Sequence, residues 1–114
     1  MSHLSILPTV LTDECLLAQA LADLDLPVSM GGTLKGFADD QQAVTLHTRL
    51  PEGQPLGWAR QADGSLSLVA DLQRLGRSRS LQQLLGRITR RYAALAALQT
   101  VRRELPDAVV ELVR

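Results

Sequence analysis

A chain of 114 residues, 46% apolar and 21% charged, has the length of one domain and the composition of a globular protein, which argues against two independent cores and against disorder. Its formal net charge is zero; its single cysteine, Cys15, excludes an intrachain disulfide, and no apolar run approaches the roughly 20 residues that cross a bilayer. Met1-Ser2-His3-Leu4 lacks the basic and apolar regions of a signal peptide, so the sequence predicts one cytoplasmic domain over residues 1–114 with no membrane contact.

Leu4, Ile6 and Val10 alternate with Ser5 and Thr9, a strand pattern that Pro8 confines to a sheet edge or a bulge. Thr12 then reads as a helix N-cap with Asp13 and Glu14 in the first turn, and Leu16, Leu17, Ala20, Leu21 and Leu24 form the helix's apolar stripe. That helix should stop before Pro27. Met30-Gly31-Gly32 reads as a loop or a loose start of a strand, Thr33 to Ala38 as a short strand, and Asp39 to Gln42 as a polar turn. Ala43 to Leu50 reads as one strand with Val44, Leu46, Thr48 and Leu50 on one face.

After a Pro- and Gly-rich loop, Trp58 to Ala62 runs into Asp63-Gly64, a pair suited to a tight turn, and Ser65 to Leu72 follows as a strand. A two-residue loop would set Trp58 opposite Val69, on the face away from Leu66 and Leu68, so either both faces are covered or the loop is longer. Arg74 to Arg79 reads as a basic connector. Ser80 then caps a long helix with the stripe Leu81, Leu84, Leu85, Ile88, Tyr92 and Leu95, ending before Pro106; Ala108 to Val113 reads as a last strand. The expected fold is a two-layer α+β sandwich: an antiparallel sheet of about five to six strands with two helices on one face.

The charges are segregated. Up to Gln73 there are Lys35, Arg49 and Arg60 against nine acidic residues; from Arg74 to Arg103 there are eight arginines and no acid. Arg74, Arg77, Arg79, Arg87 and Arg90 are therefore the candidate contacts to a partner or to phosphates, weighed against a solvated helix face that balances the acidic half.

Other constellations are poorer. His3, His47 and Cys15 lack chelating spacing, so no metal is predicted and His47 reads as a solvated strand residue. Cys15 has no histidine partner to make it a nucleophile. Asp39 and Asp40 read as solvated turn residues, and Asp71 as a turn or ion-pair residue of the following segment. The glycines at 31 and 32 lack the spacing of a phosphate loop, and no cofactor motif is present.

Several segments carry a resemblance. Met1-Ser2-His3-Leu4-Ser5 opens the chain, Gly36-Phe37 follows the first helix, Leu68-Val69-Ala70-Asp71-Leu72-Gln73 ends the hairpin, and Arg91-Tyr92-Ala93 lies in the second helix. Together, over essentially the whole chain, they resemble the hypothetical chloroplast open reading frame thirty-five family, a domain of unknown function found in cyanobacteria, some algal plastids and scattered other bacteria. The resemblance marks Asp71, Gln73, Arg91 and Tyr92 as family-typical and implies a cytosolic or stromal protein of a photosynthetic lineage; it supplies no activity. Most family members carry aromatics soon after that segment, where this chain has Arg74-Leu75-Gly76-Arg77-Ser78.

The expected function is a non-enzymatic accessory or regulatory module that works through a protein partner. The alternatives are nucleic-acid (RNA) binding through the arginine-rich segment 74–91, and a small-ligand site near Trp58 and Asp71. An exposed apolar sheet face would point to a homodimer.

Overall fold

The computed structural model describes residues 4–35 and 41–104. In chain order these form β1 (Leu4–Leu7), α1 (Glu14–Asp23), β2 (Ser29–Met30), β3 (Thr33–Lys35), β4 (Gln41–Ala43), β5 (Leu46–Arg49), β6 (Pro55–Arg60), β7 (Leu66–Asp71), α2 (Leu72–Arg77) and α3 (Arg79–Glu104). Five strands make an antiparallel sheet in the order β1-β7-β6-β5-β2, while β3 and β4 pair separately. The α+β fold with an antiparallel sheet is as expected, and β1 takes the sheet edge, one of the two positions that Pro8 left open. The strand expected over residues 108–113, the segment 36–38 and the Asp39-Asp40 turn lie outside the described residues.

The β6–β7 hairpin turns over three residues, not two. Gln61 N donates to Ser65 O at 2.8 Å, Gly64 N donates to Gln61 O at 2.9 Å, and Gly64 takes a positive φ of 90°. A type I′ two-residue loop would need positive φ at Asp63 as well, and Asp63 does not adopt it. Instead, the Asp63 carboxylate accepts from Ser65 N and Ser65 Oγ at 2.9 and 2.7 Å. The added residue moves the register by one, so Trp58 pairs with Leu68 and Gly57 with Val69. Trp58 thus joins Leu66, Leu68 and Ala70 on the face that α1 and α3 cover, where Leu17, Leu21 and Ile88 pack against it.

Both faces of the central hairpin are nevertheless buried. On the second face Leu34 and Val44 lie over Ala59 and Val69, and this small cluster is closed by the β3–β4 pair. The segment expected as one strand over residues 43–50 is therefore split. Val44 belongs to the second face and Leu46 to the first, so the chain changes faces between them, which an unbroken strand of period two cannot do. At the crossing Val44 N donates to Gly32 O at 3.0 Å, Thr45 N to Trp58 O at 2.8 Å, and Arg60 N to Thr45 Oγ1 at 3.2 Å.

Helix ends follow side-chain chemistry more closely than the pattern suggested. Asp13, not Thr12, caps α1: its carboxylate accepts from Cys15 N at 2.9 Å and Leu16 N at 3.2 Å, and a negative charge suits the helix N-terminus better than a hydroxyl. At the other end Leu26 N donates to Leu21 O and Asp25 N to Ala22 O, both at 3.0 Å, with Asp25 at φ 61° and Leu21 and Leu26 buried. This is a Schellman stop with aspartate where glycine is usual. The expected basic connector contains α2, and Ser78, not Ser80, caps α3, its Oγ accepting from Leu81 N at 3.1 Å.

A Cβ added at Gly57 would stand 2.7 Å from Leu34 Cδ1 and 2.9 Å from Val44 Cγ1. Gly57→Ala is therefore expected to destabilise the protein by about 1–3 kcal/mol, the usual cost of overpacking. Urea denaturation checks this through a lower midpoint at an unchanged slope.

Candidate functional site

α3 spans 26 residues, about 39 Å of helix at 1.5 Å per residue. Its apolar stripe buries Leu81, Ile88 and Tyr92 and half-buries Leu84, Leu85, Leu95 and Ala96 against the sheet and α1. The 3.6-residue repeat places Arg79, Gln83, Gly86 and Arg90 on the opposite face, at i, i+4, i+7 and i+11, with Arg87 beside them. The side chains of Arg79, Arg87 and Arg90, and that of Arg77 at the end of α2, are exposed and have no carboxylate partner among the described residues. Arg74 lies on α2, and its side chain is outside the described part of the structure.

Arg79, Gln82, Gln83, Gly86, Arg87 and Arg90 line a shallow open depression of about 520 Å³ on this face. Glycine inside a helix costs about 1 kcal/mol relative to alanine. Here the missing methyl makes room for a guanidinium: Arg90 Nη1 lies 3.2 Å from where a Cβ of Gly86 would stand. Gly86 was not singled out by the sequence reading, although a glycine amid Leu, Gln and Arg is itself a signal.

Of the four residues that the resemblance marks, Asp71, Arg91 and Tyr92 make structural contacts through their side chains. The hydroxyl of Tyr92 accepts from both Thr12 N at 3.2 Å and Asp13 N at 3.0 Å, satisfying backbone donors just before α1. Nε and Nη2 of Arg91 both lie 2.7 Å from Asp23 Oδ2, and Gln19 Nε2 donates to Asp23 Oδ1 at 2.7 Å. Together these groups hold α1 to α3. The Arg91 hydrogen bond, then that of Gln19, keeps the Asp23 carboxyl below its ordinary value of 3.8. Asp71 accepts from Gln73 N at 3.0 Å and so caps the start of α2, the turn role its position suggested; Gln73 is exposed. Arg60 is also engaged: its Nη1 donates to Thr12 O at 3.1 Å and Gly64 O at 2.8 Å, joining the hairpin loop to the start of α1, with Glu14 4.0 Å away.

Trp58 and Asp71 do not converge. Trp58 is packed inside the core, and Asp71, next to Ala70 along β7, points to the other side of the sheet. His47, expected to be solvated, is half-buried. The carbonyl of Gly31 lies 2.9 Å from its Nδ1 and the ring rests over Gly32, where positive φ at both glycines brings the backbone across it. Cys15 is exposed beside a second groove between α1 and α3, lined by Leu16, Leu95 and Leu98 among others. Among the described residues no three His, Cys, Asp or Glu side chains gather to hold a metal, and no helix is long and apolar enough to cross a membrane.

Fold and surface define a small α+β domain whose long helix carries exposed arginines on its open outer face. Residues 20–105 match the family described as protein of unknown function (DUF1257), and the chain belongs to that family. Comparison with the curated proteins and with the solved structures found no match in either.

Two outcomes follow from the α1–α3 contacts. Tyr92→Phe leaves two backbone N–H groups without their acceptor and is expected to cost about 1–3 kcal/mol in denaturant melts. The lowered Asp23 pKa makes this carboxylate stabilising at neutral pH, a contribution lost as the pH falls below 3.8 and through the lowered folded value. Carboxyl NMR should show Asp23 titrating below 3.8, and Arg91→Ala should move the titration upward.

Proposed function

We propose that the protein is a non-enzymatic accessory or regulatory module that docks an acidic surface of a partner protein onto the outer face of α3. The observation that carries this reading is the division among the arginines. Arg60 and Arg91 are committed to internal contacts, whereas Arg77, Arg79, Arg87 and Arg90 stand exposed without a carboxylate partner among the described residues. Guanidinium groups along the outer face of α3, with that of Arg77 at the end of α2, suit recognition of carboxylates or phosphates by paired hydrogen bonds. The cell we propose is photosynthetic and the location cytoplasmic, in keeping with the resemblance to the plastid and cyanobacterial family.

The test is a tagged, nuclease-treated pull-down from the native cell, followed by reconstitution of any recovered partner from purified components. One protein partner near equal amounts, released by salt and lost with the double variant Arg87→Ala, Arg90→Ala, is the expected outcome. A partner retained by that variant, or turnover of a metabolite by the purified protein, would overturn the proposal.

A further inference from the structure

Gly86 is the only glycine of α3, and among the described residues no packing contact requires it there. It is not among the positive-φ glycines, which are Gly31, Gly32, Gly53 and Gly64. Among the described residues, the helix's own backbone and the chain neighbours aside, the atoms within 4 Å of its missing Cβ belong to Arg90, Nη1 at 3.2 Å and Cζ at 3.9 Å, so it admits none of the described neighbouring elements. What the absent methyl provides is the floor of the depression, with the Arg90 guanidinium laid across it and Arg79 and Arg87 among its lining residues.

Three guanidiniums around one shallow site repel each other until an anion enters. A single carboxylate leaves most of that charge uncompensated. A phosphomonoester brings a charge of about −1.5 to −2 and three acceptor oxygens, which match arginine forks and leave room for the Gln82 and Gln83 amides. The phosphodiesters of single-stranded nucleic acid carry less charge each and are usually held together with aromatic stacking. Trp58 and Tyr92 are buried, so among the described residues no stacking ring stands beside the depression.

We infer that the depression over Gly86 receives a phosphorylated side chain of the partner protein, its phosphomonoester held by Arg79, Arg87 and Arg90. This rests on the docking role of the same helix face and specifies its chemistry.

The experiment uses the full chain, isotope-labelled for NMR, and two synthetic peptides of one sequence that carry a central phosphoserine or serine between glutamates. Inorganic phosphate and an oligouridylate are titrated in parallel. The phosphoserine peptide should bind about tenfold tighter than the serine peptide, with amide shifts centred on residues 79–90 and affinity that falls with salt. Gly86→Ala should weaken that binding about fivefold while raising Tm by several degrees, a pairing that a merely structural glycine would not give. Arg90→Lys, which keeps the charge and loses the fork, should weaken it comparably.

Equal affinity for the two peptides, or undiminished affinity in Gly86→Ala, overturns the inference. If the serine peptide is then still released by Arg87→Ala with Arg90→Ala, the docking role survives without it. Inorganic phosphate binding as tightly as the phosphopeptide would assign the site to the free anion, and tighter binding of oligouridylate would assign it to nucleic acid; either result overturns the protein-borne phosphate.

Discussion

Burial of β6 and β7 on both faces is the constraint from which the rest of the structure follows. One face must accept the helices and the other the β3–β4 pair, so the two faces divide by size. Toward the helices stand Leu56, Trp58, Leu66 and Leu68; toward the small sheet stand Gly57, Ala59, Ser67 and Val69. These strands consequently lack the alternation of a half-exposed sheet and resemble the apolar runs of fully covered ones. The same constraint makes the chain change faces between Val44 and Leu46, because one segment supplies both the lid of the second face and a strand of the first.

The inner side of α3 prepares its outer side. α1 has only ten residues, too few for a helix stable by itself, and it depends on packing and on the Tyr92 and Arg91 contacts. Those contacts also fix the rotation of α3. With Tyr92 directed to the start of α1 and Arg91 to Asp23, the positions of Arg79, Gly86 and Arg90 must face away from the fold. The motif residues Arg91 and Tyr92 and the exposed arginines are thus neighbours along the chain with opposite duties, one pair orienting the helix and the others displayed by it.

Much of this was legible in the sequence. The two apolar helical stripes, the edge strand before Pro8, the paired strands around Asp63-Gly64 and the arginine concentration all rest on local patterns, and the first three stand in the fold as read. What was not legible depended on distance or on small differences in backbone angle. Asp-Gly serves two-residue and three-residue loops alike, and only the φ of Asp63 separates them. Val44 and Leu46 are both apolar, so composition could not reveal that they point to different layers. The Arg91–Asp23 pair joins residues 68 positions apart, and no local pattern announces it. In the candidate site the arginines were evident from charge alone, whereas Gly86 acquires meaning only from the guanidinium that lies over it.

The three-residue loop of the β6–β7 hairpin bears on how this lineage can vary. Substitution at Ala62 changes an exposed side chain and leaves the pairing of Trp58 with Leu68 in place. Losing or gaining one residue there would exchange the faces of an entire strand, sending large side chains toward Leu34 and small ones toward the helices. Within the turn Ala62 is therefore the position free to change, whereas Gly64 is held by its positive φ, Asp63 by its bonds to Ser65, and the number of residues by the faces of the strands on either side.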